Sequence, residues 1–295
     1  MSRNATKDLT TGSPMKLILG FGIPLLFGML FQQFYNMMDT IIVGKFLGVS
    51  ALASVGATGS INFMIIGFCM GVCNGFAIPV AQRFGAKDEH GMRKFVANSV
   101  WLSIIFAVVM AVLVCVFCRQ ILELMNTPED IIDGSYSYIF VIFLGIPATY
   151  MYNLLSGIMR SLGDSKTPLY LLIFSSILNI ILDLLSIIVL KMGVAGAAWA
   201  TVIAQAVSGF CCLGVIWKKF PILHVQREEW QPDKLCILNL YNMGIPMGLQ
   251  YSITAIGSVI IQAAVNSLGS VAVASVAAGG KINMFLFCPN GVMGS

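Results

Sequence analysis

Stretches of 20 or more predominantly apolar residues recur along almost the whole chain, and this one feature leaves few folds open. A run of that length crosses the roughly 30 Å hydrocarbon core of a bilayer as a helix. Between charged clusters the runs fall at Leu17–Val43, Leu52–Ala81, Phe95–Phe117, Ile131–Met159, Leu169–Leu190, Val194–Trp217 and Cys236–Val265, and an eighth begins near Val271. Backbone groups in hydrocarbon must be satisfied within the segment or by closing a barrel, and no period-two alternation argues for a barrel. The chain therefore reads as an all-α polytopic membrane protein. Only 10% of its residues are charged, against roughly 25% in a soluble domain, which excludes soluble enzymes and nucleic-acid binders.

Loop charge sets the expected orientation. The first fifteen residues are polar and carry no signal-peptide cleavage pattern, so the first span is expected to stay in the mature protein. With the N-terminus cytoplasmic, the inner segments hold Arg3, Lys7, Lys16, Arg83, Lys87, Arg93, Lys94, Arg160, Lys166, Lys218, Lys219, Arg227 and Lys234, which is 13 of the 17 basic residues. The outer segments hold Lys45, Arg119 and Lys191, with Lys281 in the eighth span. This bias favours an N-terminus inside. It weighs against a seven-helix receptor, whose N-terminus lies outside.

An internal repeat is visible at an offset near 221. Gly22-Ile23-Pro24 recurs as Gly244-Ile245-Pro246, Leu47-Gly48 as Leu268-Gly269, Ala53-Ser54-Val55 as Ala274-Ser275-Val276, and Ile61-Asn62 as Ile282-Asn283. Six spans separate the copies, an even number, so both enter the membrane in the same sense, as in two-lobed secondary transporters. The expected organisation is a tail over 1–15, a six-helix lobe over 16–217, a linker over 218–235 and the opening of a second lobe over 236–295. Two equal lobes would need about 440 residues, so the chain is expected to be truncated in the second.

Of thirteen acidic residues, eleven lie in loops, tails or span edges; Asp39 and Asp183 do not. A carboxylate within the bilayer costs roughly 2.5–3.5 kcal/mol on insertion scales and usually marks an ion or substrate pathway. Counting inward from Lys45 and Lys191 at about 1.5 Å per residue, Asp39, Asp183 and Thr201 lie at similar depth, about 9–15 Å from the outer surface. Tyr35 precedes Asp39 by four residues and Asn179 precedes Asp183 by four, so each pair shares a helix face. Carboxylate, amide, hydroxyl and phenol oxygens without His or Cys suit a proton or hard monovalent cation and not zinc or copper. No resident metal beyond Na+ at that site and no cofactor is expected. Two such carboxylates repel unless a proton or cation sits between them, which is how a site could exchange H+ or Na+ for a cationic substrate. Asn179, Thr201 and Asn153 taken singly also suit interhelical packing, and Asn153 falls toward the cytoplasmic side by the same count. Pro24, Pro79, Pro147, Pro246 and Pro289 lie within spans and favour kinks; Pro24 shares its helix with Asp39 and is a candidate bend. Cys115 and Cys118 have redox spacing but no partner pair, which points to packing.

The motif from Pro24 through Gln33, Tyr35, Asn36 and Asp39 to Gly44, Leu47-Gly48 and Leu52-Ala53-Ser54-Val55-Gly56 resembles the first two helices of the multidrug and toxic compound extrusion (MATE) transporters. Gly157-Ile158-Met159-Arg160-Ser161-Leu162-Gly163-Asp164-Ser165-Lys166-Thr167-Pro168 is similar to that family's helix-four-to-five loop, Asn179 with Asp183 to its fifth helix, and Gly193-Val194-Ala195-Gly196-Ala197-Ala198-Trp199-Ala200-Thr201 to its sixth. The resemblance implies a two-lobed antiporter that exports organic cations or other amphipathic compounds in exchange for H+ or Na+, monomeric when full length and multi-pass in the plasma membrane, here a bacterial inner membrane. It further implies a cation site at Asp39, Asn179, Asp183 and Thr201, with Tyr35 and Asn153 in its hydrogen-bond network. Thr254 stands where one branch carries an acid on helix seven, which points to a DinF-like branch. A lipid-precursor or polysaccharide flippase of the same superfamily is the alternative, and for pyrophosphate lipids it would call for a cavity rich in basic groups. A channel fits the repeat poorly, and an intramembrane enzyme lacks a nucleophile and base.

Overall fold

The computed structural model describes residues 14–280. Its helices are α1 (Pro14–Leu47), α2 (Val49–Gly85), α3 (Glu89–Val116), a short α4 (Cys118–Leu124), α5 (Ile132–Leu144), α6 (Ile146–Ser161), α7 (Lys166–Leu184), α8 (Gly193–Lys219) and α9 (Lys234–Asn266), followed by α10 (Ser270–Gly280). No strand occurs among the described residues. The tail before Pro14, Lys281, the Ile282-Asn283 match and Pro289 lie outside them. We call the end holding the α8–α9 connection the linker end and the opposite one the far end.

Five described helices are long and apolar enough to cross a membrane, and the α5–α6 pair makes a sixth. The 34 residues of α1 rise about 51 Å. Helix α3 shows why such elements need lipid: Ile104, Ile105, Val108 and Val112 are half or more exposed, an apolar stripe at helical spacing that water would not tolerate. On the inner side, Tyr150, Phe143, Met92 and Ile146 are almost fully buried.

Two spans expected to be continuous are interrupted. The fourth breaks between Leu144 and Ile146 with a 47° bend, because Pro147 in the first turn of α6 has no N–H to continue the ladder from α5. The fifth leaves α geometry just after Asp183 and finishes as a π turn over Leu185–Val189. There the Ser186 hydroxyl donates to the Leu182 carbonyl at 2.7 Å and is 3.1 Å from the Gly196 carbonyl of α8. In contrast, α1 runs through Pro24 and α9 through Pro246 as single helices.

The repeated residues occupy equivalent places. Gly48 (φ 89°) ends the α1–α2 turn and Gly269 (φ 92°) the α9–α10 turn, a left-handed backbone that glycine adopts without a Cβ clash. Each carbonyl then accepts the first hydrogen bond of the next helix, from Leu52 at 3.1 Å and from Val273 at 3.2 Å. Ala53 and Ala57 of α2 pack on Val273 and Ala274 of α10, and a Cβ at Gly56 would stand 2.5 Å from that of Ala277. Gly56 and Ala277 are themselves mates at offset 221, so α2 meets α10 through like residues, as elements about a two-fold axis do.

Helix α9 lies along α2 through glycines spaced four apart. A Cβ at Gly71 would be 2.6 Å from the Met247 carbonyl, and one at Gly75 would be 2.6 Å from Gly244 Cα. Small residues at this spacing let helix backbones approach closely in a membrane.

The α8–α9 connection is strapped to α3. Glu229, 1% exposed, receives the Arg93 Nε at 3.0 Å, the His90 Nδ1 at 2.8 Å and the Gln226 N–H at 2.8 Å. Burial opposes its charge, but these donors prevail and hold its carboxyl below the usual glutamate range. Trp101 donates to the Trp230 carbonyl at 3.1 Å with the two rings edge to face, and Asn98 Oδ1 accepts the Asp233 N–H at 2.9 Å. Asp233 in turn caps α9 through the Leu235 and Cys236 amides.

Candidate cation site and cavity

Three helices bring the site together: α1 packs against α7 and α8, and α7 against α8. Asp39 (8% exposed) and Asp183 (fully buried) come from α1 and α7, and Asp39 is the charged group that acts most strongly on Asp183. Thr201 of α8 links the remaining residues. Its Oγ1 accepts from Asn179 Nδ2 at 3.2 Å and lies 3.3 Å from the Tyr35 hydroxyl. Small residues allow this approach, since Ala197, Ala198, Ala200 and Ala204 are the buried face of α8.

The donors and acceptors do not balance. No amide, hydroxyl or cationic donor among the described residues reaches either Asp183 oxygen or Asn179 Oδ1, and the Asp183 carboxyl lies within hydrogen-bonding reach of Asp39, a contact that two acids make only with a proton between them. An uncompensated buried carboxylate is costly, so the donor-poor, oxygen-rich arrangement suits a proton or hard cation held between the acids. Among the described residues no group of three or more His, Cys, Asp or Glu could hold a metal ion.

The sequence reading missed Tyr138. It is buried on α5 and lies within the fields of Asp39, Tyr35 and Asp183. Asp133 and Ser137 share its helix, but one aromatic in an apolar span carries no signal of its own. The π turn after Asp183 was equally hidden, because Leu185–Val189 reads as ordinary helix in sequence.

Asn153 does not join the cluster. Its Nδ2 donates to the Thr149 carbonyl at 2.8 Å, and it lines a separate cavity of about 540 Å³ formed by α1, α2, α6, α7 and α9. Pro24 lines the same cavity, as do Gln32, Asn74, Gln250 and Tyr251. So does Arg160, which charge counting assigned to a loop; it belongs instead to the last turn of α6. Thr254 is exposed on α9 and bonded to the Gln250 carbonyl at 2.9 Å, and α9 contains no acid.

The family model for MatE matches residues 24–185, more than half of the chain and the part that holds both acids. The chain belongs to the MatE family. It is a transporter-family protein and not an enzyme, and the all-helical MATE fold follows. The probable multidrug resistance protein YoeA of Bacillus subtilis is 32% identical over 86% of this chain and 57% of its own length. YpnP of the same organism, also described as a probable multidrug resistance protein, is 29% identical over 96% of this chain and 63% of its own. A solved MATE structure in complex with MaL6 superposes with a TM-score of 0.85 at 25% identity, covering 99% of this chain and 65% of that one. The chain thus spans about three fifths of the length of these MATE relatives.

Proposed function

We propose that the protein is a MATE antiporter that exports amphipathic or cationic compounds by alternating access, driven by inward movement of H+ or Na+ through Asp39 and Asp183. The observation that carries the reading is the pair of buried carboxylates from α1 and α7, flanked by the Asn179, Thr201 and Tyr35 oxygens with acceptors left over. A proton or cation between the acids relieves their repulsion, and its release on the other side restores it. The difference between the two states is then available to bias α1 against α7. Pro24 is the residue of α1 that can convert this into a bend, since its ring removes one ladder bond.

Residues 16–217 form one lobe in this reading, 218–235 the linker and 236–295 the opening of the second. The N-terminus is cytoplasmic, so the linker end faces the cytoplasm and the acids lie in the outer half of the bacterial inner membrane; the working unit is a monomer. The basic bias of the linker end supports this orientation. Relatives named for multidrug resistance support a small amphipathic substrate. A flippase for lipid pyrophosphates calls for several basic groups, whereas Arg160 is the one Lys or Arg lining the described cavity.

Asp39→Asn and Asp183→Asn test the reading. Each is expected to abolish drug resistance in cells while the protein still inserts in the membrane at wild-type levels. Wild-type resistance from both variants would remove the site.

A further inference from the structure

A π turn is rare and occurs frequently at functional sites. In the fifth span it begins two residues past Asp183, over Leu185–Val189, where the Leu185 carbonyl accepts the Leu190 N–H, five residues on, at 3.0 Å. We propose that Ser186, inside this turn, is a positioning residue: it fixes the register of α7 on α8 and so holds the Asp183 carboxyl against Asp39. This rests on the paired-acid site of the reading above and adds a residue to it.

Asn179, Asp183 and Ser186 follow one another at i, i+4 and i+7 and so share a face of the span. The first crosses to α8 by its Nδ2, which donates to Thr201 Oγ1 at 3.2 Å, and the last by its hydroxyl, 3.1 Å from the Gly196 carbonyl. Between Gly196 and Thr201, α8 presents the buried Ala197, Ala198 and Ala200, and Asp183 receives no hydrogen bond from α8 among the described residues. The acid is therefore set in place from its flanks. Thr201 makes the inner crossing and Ser186 the outer one.

The buried Ser186 hydroxyl also lies 2.7 Å from the Leu182 carbonyl and 3.3 Å from that of Asp183, so its one hydrogen is surrounded by three acceptors. The Ser186 carbonyl accepts the Met192 N–H at 3.0 Å, which ties the same residue to the residue that precedes α8. Gly196 makes room for the contact, since an added Cβ would stand 3.1 Å from Ser186 Cβ. Helix α1, which carries Asp39, packs on this turn as well as on α7. The titratable groups around Asp183 are Asp39 and Tyr35 on α1 and Tyr138 on α5; α8 has no charged residue from Gly193 to Ala204. A displaced α7 therefore changes chiefly the separation of the two acids.

The test reads the carboxyl itself: the infrared stretch of the protonated Asp183 side chain in membranes with no gradient imposed, assigned by its loss in Asp183→Asn. Ser186→Ala is expected to move this band toward the frequency of a carboxyl without a hydrogen-bonded partner. Ser176→Ala, which removes a hydroxyl bonded to the Leu172 carbonyl at 2.8 Å within α7, should leave it in place. Gly196→Ala, which presses α8 off the turn, should move the band as Ser186→Ala does, and it decides the matter if Ser186→Ala does not fold. In gradient-driven ethidium uptake per inserted molecule, Ser186→Ala should lower the maximal rate about tenfold, the equivalent of one hydrogen bond, with half-saturating ethidium unchanged. An unmoved band in Ser186→Ala, or a wild-type spectrum with no band that Asp183→Asn removes, would overturn the proposal. A moved band without gradient-driven uptake in the wild type would leave Ser186 its role and remove the antiporter reading. Wild-type uptake that Asp39→Asn abolishes, with an unmoved band in Ser186→Ala, would do the reverse.

Discussion

At the scale of single residues, Thr201 is the junction of the candidate site, because one hydroxyl meets both Asn179 and Tyr35. Thr201→Val keeps the shape and removes that junction, leaving the Asn179 amide without its acceptor in a buried place. Transport is expected to fall about tenfold, the equivalent of one lost hydrogen bond of roughly 1.4 kcal/mol, while Thr201→Ser retains it; initial rates of ethidium efflux from loaded cells measure both. Glu229 makes a different prediction, about stability. Its donors hold the carboxyl low, so its contribution is complete at neutral pH, where both folded and unfolded states are ionised, and is lost as pH falls through the folded value. Glu229→Gln should therefore destabilise the protein by about 2 kcal/mol at pH 7. Thermal unfolding in mild detergent should show the gap between variant and wild type closing below the ordinary glutamate range, about 4.3. A gap that stays constant down to pH 3 would contradict the assignment.

Among elements, the contact that matters most for a moving molecule is α2 against α9. Four glycines make it: Gly71 and Gly75 face Gly244 and Gly248 so closely that a methyl added at Gly71 or Gly75 meets backbone, whereas one added at Gly244 or Gly248 meets the side chains of Phe68, Val72 and Phe76. Gly75→Ala is expected to cost about 1–3 kcal/mol, as overpacking does. Gly59 provides the control on the same helix, since nothing lies within 4 Å of an added Cβ there. Gly59→Ala should be neutral or gain up to about 1 kcal/mol from helix propensity. Unfolding midpoints in sodium dodecyl sulfate would compare the two, and equal midpoints would mean that the close approach contributes nothing. The element breaks carry a second lesson. Gly145 with Pro147 could be read as a kink site in the sequence, yet the size of the bend, 47°, depends on how α5 and α6 pack on α8. The π turn after Asp183 has no sequence mark, because Ser186 acquires its role only when the Gly196 carbonyl of α8 arrives beside it.

For the whole molecule, the spans were legible because hydrocarbon demands long apolar helices, and the repeat because Gly48 and Gly269 must each occupy left-handed backbone at the same turn. The depth count brought Asp39, Asp183 and Thr201 to one level from helix rise alone, and Asn179 and Tyr35 followed from four-residue spacing. Linear counting failed where a third helix supplies the neighbour. Tyr138 reaches the acids from α5, and Arg160 turns inward from what the sequence shows as a loop boundary. Asn153, joined to the network by resemblance, lines the Arg160 cavity instead. The two lobes of the proposed antiporter would rock about the like-on-like contact of α2 with α10, where Gly56 meets its mate Ala277. The central claim is that an ion gradient acting at the two acids drives substrate across the membrane. Its most direct test is ethidium movement in inverted membrane vesicles containing the protein, under an imposed pH gradient or an imposed Na+ gradient, with Asp39→Asn in parallel. The account predicts uptake under at least one of the two gradients and none in the variant; uptake in Asp39→Asn equal to wild type, or no uptake under either gradient, would contradict it.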